Sequence, residues 1–88
     1  MSVTLYSTQF CPYCIRARNL LDQKGVAYRD IAVDARPELR REMMQRSGRR
    51  TVPQIWVGQH HVGGFDDLWA LEQQGRLDEL LDSASTAT

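Results

Sequence analysis

Cysteine is scarce in this sequence, since only two of the 88 residues are cysteine, at positions 11 and 14. Two cysteines cannot build the disulfide framework on which small secreted domains depend. Long apolar runs are also lacking, because none approaches the roughly 18 residues that a membrane-spanning helix needs. The first residues lead into a strand-like pattern and not into a basic and then apolar leader. We therefore expect a soluble, cytoplasmic protein that does not bind membranes.

An excess of charge of either sign is lacking too, because eleven basic residues balance eleven acidic ones. The balance conceals a division: residues 1–50 hold ten basic and five acidic side chains, whereas residues 51–88 hold one and six. Since the two halves interleave in a compact fold, the pattern favours steering of small anions over nucleic-acid binding. An ordinary solvated surface explains it equally well.

The hydrophobic pattern predicts one α/β domain over residues 1–82 and a frayed tail over residues 83–88. β-Branched and aromatic residues at 3–6 and alternating apolar residues at 26–33 predict two strands, joined by a helix over 12–24. The other predicted elements are a helix over 36–47, a hairpin over 54–62, a helix over 66–73 and a short terminal helix over 77–81. The order β-α-β-α-β-β-α predicts a four-stranded mixed sheet with helices on both faces. Trp56 and Trp69 lie inside apolar patterns, which assigns both to the core.

Both cysteines lie between the first predicted strand and the first predicted helix, in the segment Phe10-Cys11-Pro12-Tyr13-Cys14. A Cys-x-x-Cys pair in that position is typical of a thiol–disulfide redox site. Residues three apart on a first helical turn have β-carbons about 5–6 Å apart, and their Cα separation falls within the roughly 4.4–6.8 Å that a disulfide needs. The pair can therefore form a disulfide and reopen it with little backbone movement.

The two sulfurs are expected to differ because of their places on the helix. Pro12 suits the first helical position, which puts Cys11 at the N-cap. There the sulfur faces unpaired N–H groups and the positive end of the helix dipole, and both favour the thiolate over the thiol. We expect Cys11 to be the nucleophile and the less exposed Cys14 to be the resolving thiol that attacks a mixed disulfide.

Two further motifs each have an ordinary explanation. Pro53 precedes a predicted strand, where its missing N–H costs nothing, so a plain trans proline accounts for it. Gly63 and Gly64 precede a helix whose N-terminal N–H groups can bind a carboxylate, and Asp66 or Asp67 can answer an ammonium group. A simple hairpin exit with Asp66 as N-cap is the alternative.

Together, these motifs resemble those of the glutaredoxins, specifically the short dithiol kind found in bacteria, over residues 1–81. The matching segments are Cys11-Pro12-Tyr13-Cys14, Thr51-Val52-Pro53 and Gly63-Gly64-Phe65-Asp66-Asp67. The resemblance implies a thioredoxin-like fold and an enzyme that reduces protein disulfides and glutathione mixed disulfides through a Cys11/Cys14 dithiol. It also implies a cis Val52–Pro53 bond, glutathione as co-substrate and no metal.

The resemblance further implies a set of glutathione-binding residues: Tyr13, Thr51, Val52, Pro53, Gly64, Phe65, Asp66 and Asp67. Many glutaredoxins carry a lysine three residues before the first cysteine, where it helps to hold the glycine carboxylate, and here that position is Thr8. Arg40 is the predicted substitute, and Arg49 and Arg50 are alternatives. A solvated cationic face explains these arginines equally well.

The partners that the resemblance implies are glutathione and proteins with disulfides or glutathione adducts, possible examples including ribonucleotide reductase. Glutathione reductase would act indirectly, and we expect a monomer. A thioredoxin-like electron donor recycled by a flavoprotein reductase is one competing hypothesis. Another is an iron–sulfur carrier, in which Cys11 of two protomers and two glutathiones hold a [2Fe–2S] cluster, although Pro12 disfavours it. A zinc site using His60 and His61 does not match the usual ligand spacing.

Overall fold

The structure is a computed structural model that describes the backbone of residues 3–86 and the side chains of residues 3–82. The elements are β1 (Val3–Ser7), α1 (Pro12–Gln23), β2 (Tyr28–Ala32), α2 (Pro37–Ser47), β3 (Gln54–Val57), β4 (His60–Gly63), α3 (Phe65–Gln73) and α4 (Leu77–Thr86). Their order is the predicted one, with the short terminal helix α4 after α3.

The four strands form one mixed sheet in the order β2-β1-β3-β4. β1 runs parallel to β2, as expected of two strands joined by a helix, and antiparallel to β3. β3 and β4 form the predicted antiparallel hairpin. The central position of β1 matters for function because its carboxyl end leads straight into the cysteine segment.

Each face of the sheet carries its own core. Since successive strand residues point to opposite faces, Leu5 and Ile55 pack with the apolar side chains of α1, α3 and α4. Tyr6 and Trp56 lie on the other face, where they pack with the fully buried Met43 of α2. The prediction of helices on both faces is therefore confirmed.

The second strand begins two residues later than the sequence pattern predicts, because the end of α1 takes up the intervening chain. Gly25 has a φ of 68°, which a glycine adopts without strain. Its N–H donates to the Asp22 carbonyl at 3.0 Å, and the Val26 N–H donates to the Leu21 carbonyl at 3.3 Å. These bonds are those of a helix C-cap, so Val26 belongs to the cap and not to the strand.

Trp69 is not in the core, and that prediction is wrong. Its side chain is 45% exposed, whereas the preceding Leu68 is fully buried. Adjacent residues on a helix point about 100° apart, so a strip of apolar residues cannot all face inward. Trp56, by contrast, is buried as predicted.

The helices are short, and over residues 3–86 the longest, α1, has 12 residues. Within residues 3–86, no helix has both the length and the apolar character needed to cross a membrane. Helix α4 continues to Thr86, into the segment 83–88 that the pattern assigns to a tail. Residues 87–88 of that tail lie outside the described residues, and the domain boundary at residue 82 stays a prediction.

Candidate active site

The loop after β1 places Cys11 at the mouth of α1. Cys11 is the N-cap, with φ −87° and ψ 116°, and Pro12 takes the first helical position as predicted. The Cys11 Sγ accepts a hydrogen bond from the Cys14 backbone N–H at 3.3 Å. It also lies 3.8 Å from the Val52 carbonyl oxygen, to which the thiol can donate. The partly exposed sulfur thus sits between a helix N-terminus and the second motif.

Cys14 occupies a very different environment one turn into the helix. Its side chain is fully buried. Burial raises the pKa of the Cys14 thiol to about 12, and its hydrogen bond with Cys11 adds to the rise, while a backbone hydrogen bond from Thr8 opposes it. Cys14 is therefore a protonated, shielded thiol at neutral pH, as a resolving cysteine should be before its partner is attacked.

This pKa makes the stability of the reduced protein depend on pH in the alkaline range. An unfolded cysteine loses its proton near pH 9.0, but folded Cys14 keeps it up to about pH 12. Between those values the unfolded state binds fewer protons, so stability must fall as pH rises, by a total on the order of a few kcal/mol. Chemical denaturation of the reduced protein at several pH values measures the slope. Cys14→Ser should lose this part of the slope, and equal slopes in the two proteins would contradict the assignment.

The second motif borders Cys11 through its backbone. The Val52–Pro53 peptide bond is cis, as the resemblance implies. Gln54, just after it, is fully buried, and its amide nitrogen donates to the Thr51 carbonyl at 3.0 Å and to the Thr51 hydroxyl at 3.2 Å. The Gln54 Oε1 is 2.8 Å from His61 Nε2 and accepts a hydrogen bond from the Nε2–H, because an amide oxygen can only accept.

Gln54 is a positioning residue that sequence reasoning missed. Burial is the main cause that lowers the pKa of His61, which keeps the imidazole neutral and suited to donate to Gln54 at neutral pH. The hydrogen bonds through Gln54 tie the Thr51 loop to the hairpin strand β4. The available signal was a glutamine at the start of an otherwise apolar strand, since a buried amide must find partners.

The third motif forms the tight entry to α3. Gly63 has a φ of 117°, and a β-carbon there would collide with the Asp67 carboxylate, so the position requires glycine. The N-cap is Gly64 and not Asp66, which corrects the alternative considered for this turn. The Asp67 Oδ2 accepts the Gly64 N–H at 3.0 Å and pairs with Arg49 Nη1 at 3.0 Å. The Gly64 hydrogen bond and then Arg49 lower the pKa of Asp67, which is therefore ionised.

The three motifs meet around one cavity of about 340 Å³. Its lining residues are Tyr13, Arg49, Thr51, Val52, Pro53, Gly64, Phe65, Asp66 and Asp67. This volume suits a small peptide or metabolite. Because the Val52 carbonyl is in contact with Cys11 Sγ, the cavity opens beside Cys11. All the predicted glutathione-binding residues except Arg40 line it.

Of the arginines considered for the missing lysine, the structure brings Arg49 to the cavity. Arg40 is not among the lining residues, and its Nη1 donates to the Arg50 carbonyl at 3.3 Å. Arg49 lies at the end of α2, where its backbone N–H bonds to the Ser47 hydroxyl. The geometry favours Arg49 over Arg40, although a contact from either to a ligand stays a prediction.

An exposed aromatic row extends from the cavity along α3. Tyr13, 52% exposed, lies 6.5 Å from Phe65 between ring centroids, and Phe65 stacks with Trp69 at 6.2 Å. Phe65 and Trp69 are four residues apart, which places them on one helix face. Trp69 is therefore part of the surface around the site.

Comparison with known proteins agrees with this geometry. The family model described as Glutaredoxin matches residues 3–62. The chain belongs to the glutaredoxin family. A glutaredoxin of Pseudomonas aeruginosa is 57% identical over 81 residues, covering 92% of this chain and 96% of its own. Glutaredoxin 3 of Escherichia coli is 49% identical over 80 residues, covering 91% of this chain and 96% of its own.

Solved structures of glutaredoxins share the fold. The crystal structure of a buckwheat glutaredoxin–glutathione complex superposes with a TM-score of 0.88 at 30% identity, covering 94% of this chain and 78% of the other. This chain and the buckwheat glutaredoxin therefore share the thioredoxin-like architecture described above. As a glutaredoxin, this protein is a glutathione-dependent thiol–disulfide oxidoreductase.

Metal ligands do not cluster in the part of this glutaredoxin that the structure describes. Among those residues, no group of three or more histidine, cysteine, aspartate or glutamate side chains is arranged to hold a metal ion. His61 instead stacks on Trp56 with ring centroids 4.6 Å apart and bonds to Gln54. Its role in the described contacts is structural.

Proposed function

We propose that Cys11 takes the glutathionyl group from a glutathione mixed disulfide while the glutathione moiety lies in the cavity. The Cys11 thiolate attacks the glutathione sulfur, a new S–S bond forms, and the target leaves as a thiolate that accepts a proton. A second glutathione thiolate then attacks the adduct, releases glutathione disulfide and restores Cys11. The observation that carries this proposal is that three separated motifs line one cavity whose edge contacts the Cys11 sulfur.

For protein disulfides, we propose that the reaction uses both cysteines. Cys11 attacks the substrate disulfide, and Cys14 then attacks Cys11, so that an internal disulfide forms and the reduced substrate leaves. Two glutathione molecules reduce this bond in two exchanges. The burial of Cys14 favours this order, since the sulfur that a large substrate can reach first is Cys11.

Charge in the cavity supports glutathione as its occupant. Glutathione carries an ammonium and two carboxylates, and the cavity offers the carboxylates of Asp66 and Asp67 and the guanidinium of Arg49. The first N–H groups of α3 have no intrahelical acceptor and suit a carboxylate. The buckwheat glutaredoxin was crystallised with glutathione, which is consistent with such an occupant here.

The reductant is tested by comparing two recycling systems on one glutathionylated peptide. Glutathione with its NADPH-dependent reductase should support rapid turnover, whereas thioredoxin reductase without glutathione should not. Rapid turnover with thioredoxin reductase alone would favour a thioredoxin-like donor and overturn the proposal. Heat-denatured protein controls for direct exchange between glutathione and the peptide.

Asp67→Asn is expected to raise the KM for a glutathionylated peptide by roughly ten-fold, because a charged contact in the site is lost. The kcat should change little, since the reacting sulfur of Cys11 is not touched. Asn can still accept the Gly64 N–H, so the turn keeps its hydrogen bond. Steady-state kinetics at varied peptide concentration measures both constants.

A second variant tests whether breaking the Arg49–Asp67 ion pair destabilises the fold. Arg49→Gln breaks the same pair, whose side chains are 49% and 47% exposed, so its effect on folding stability should be small, whereas KM should rise because the cavity loses a cation. If Asp67→Asn left KM unchanged, the carboxylate would have no part in binding the substrate.

We further propose that the protein acts as a monomer in the cytoplasm, where glutathione keeps thiols reduced. Its targets would be glutathionylated or disulfide-bonded proteins, possible examples including ribonucleotide reductase, with glutathione reductase restoring the glutathione pool. Sedimentation of the reduced protein tests whether it is a monomer. Trapping of mixed disulfides on Cys14→Ser tests which proteins are its targets.

A further inference from the structure

A closed polar cluster lies behind the cysteine pair, and the reaction described above makes no use of it. Its members are Ser7 at the end of β1, Arg18 on α1 and Asp30 on β2. Arg18 Nε donates to Asp30 Oδ2 at 2.7 Å, and Arg18 Nη2 donates to the Ser7 hydroxyl at 2.8 Å. The fully buried Ser7 hydroxyl in turn donates to Asp30 Oδ1. The guanidinium is thus held in one orientation.

The cluster is connected to Cys14 through Thr8. Arg18 follows Cys14 by four residues on α1, which places both on one helix face. Arg18 Nη2 donates to the Thr8 carbonyl at 3.3 Å, and the Thr8 backbone in turn acts to lower the pKa of the Cys14 thiol. The positive charge is therefore held on the helix face that carries the buried sulfur, and it is the smallest of the influences on the pKa of that thiol, acting to lower it.

The burial of Cys14 makes its thiolate form unfavourable, and the positive charge of Arg18 can reduce that free-energy cost. Cys14 must carry negative charge when it attacks the mixed disulfide and again when it leaves from the internal disulfide. A fully buried sulfur pays a large desolvation cost for that charge. Nearby opposite charge reduces the cost, and its effect is strong where water is excluded.

We propose that Arg18 is a positioning residue that stabilises negative charge on Cys14 in its two exchange steps. This inference rests on the proposed dithiol reaction. In the first step Cys14 gives its proton to solvent, the Cys14–Cys11 bond forms, and the substrate sulfur leaves Cys11 with the electron pair. In the second, a glutathione thiolate bonds to Cys11, the internal bond breaks, and Cys14 leaves as a thiolate that regains a proton.

Other charged or titratable groups interact electrostatically with Cys14 or Arg18. Cys11 lies on the same helix, and Asp30 and Tyr28 lie on β2, where both interact electrostatically with Arg18. Asp30 fixes the guanidinium but offsets part of its charge. Removing the Arg18 charge and removing the Asp30 charge should therefore change the rate in opposite directions. A role of the cluster in folding alone predicts no such opposition.

Arg18→Gln should slow reduction of the internal disulfide by glutathione roughly ten-fold, measured by rapid mixing. Arg18→Lys keeps the charge and should retain most of the rate. Asp30→Asn removes the offsetting charge while Ser7 and Thr8 still hold the guanidinium, so the rate should rise. Arg36→Gln is the matched control, because it removes an exposed arginine–glutamate pair of 3.0 Å on another helix.

A double-mutant comparison shows whether the effect passes through Cys14. No internal disulfide can form in the Cys14→Ser background, so the readout there is exchange of glutathione at Cys11, which Arg18→Gln should leave unchanged. The inference is overturned if Arg18→Gln reduces its internal disulfide at the wild-type rate, if it slows exchange at Cys11 as strongly in the Cys14→Ser protein, or if Asp30→Asn fails to speed reduction of the internal disulfide. Should Arg18→Gln fail to fold, Asp30→Asn still decides, because faster reduction supports the inference and an unchanged or slower rate overturns it. Failure of the proposed function would look different, because wild-type protein would then form no glutathione adduct at all.

Discussion

Replacing Cys11 with serine is expected to abolish both deglutathionylation and protein-disulfide reduction, lowering each rate by at least about three orders of magnitude. A serine hydroxyl is a weak nucleophile, and among the side chains of residues 3–82 no general base is hydrogen-bonded to this position to activate it. The described partners of the Cys11 sulfur are the Cys14 N–H and the Val52 carbonyl. Turnover of a glutathionylated peptide and of a protein disulfide, assayed separately, measures the loss.

The same variant should fold as well as the parent protein. Serine is among the best helix N-caps, and its hydroxyl can accept the Cys14 N–H that Cys11 Sγ accepts now. An unchanged melting temperature would therefore show that lost activity reflects lost chemistry. If Cys11→Ser kept either reaction, Cys11 could not be the nucleophile for that reaction.

Cys14→Ser is expected to separate the two activities. Deglutathionylation needs only Cys11, so its rate should remain within a few-fold of the parent rate. Protein-disulfide reduction should fall by roughly 10- to 100-fold, because no internal thiol remains to displace the substrate. The variant should also accumulate stable mixed disulfides with its protein substrates, which non-reducing electrophoresis detects.

Stability has to be checked in this variant, since Cys14 is fully buried. A serine hydroxyl there is more polar than a thiol, but the backbone of Thr8 offers it a hydrogen-bond partner. A destabilisation of about 1–3 kcal/mol is therefore the expected cost. Equal loss of both activities in a folded Cys14→Ser protein would contradict the division of roles between the two cysteines.

Local sequence patterns were enough to predict the order of elements and the place of Cys11 at the start of α1. Pro12 directly after Cys11 marks the start of α1, and the structure has Cys11 as N-cap for that reason. The end of α1 was harder, because the alternating pattern extends into Val26, whose N–H is used by the helix cap. Apolar character alone also misplaced Trp69, since it does not say which side of a helix faces the sheet.

The site could be predicted only in part because its members are distant in the chain. The motif residues that line the cavity were identified through the family resemblance, and nothing in their local sequence shows that they meet. Gln54 and Arg18 escaped notice because each acts through contacts across the fold. Arg49 was distinguished from Arg40 only by the structure, in which Arg49 lines the cavity and pairs with Asp67.

The central claim is that Cys11, and not the shielded Cys14, is the sulfur that accepts glutathione. Treating reduced Cys14→Ser and Cys11→Ser proteins with glutathione disulfide, followed by peptide mass spectrometry, tests it most directly. The structure predicts one glutathionyl group on Cys11 in the first variant and little or none on Cys14 in the second. Prompt modification of Cys14, or an unmodified Cys11, would contradict the account.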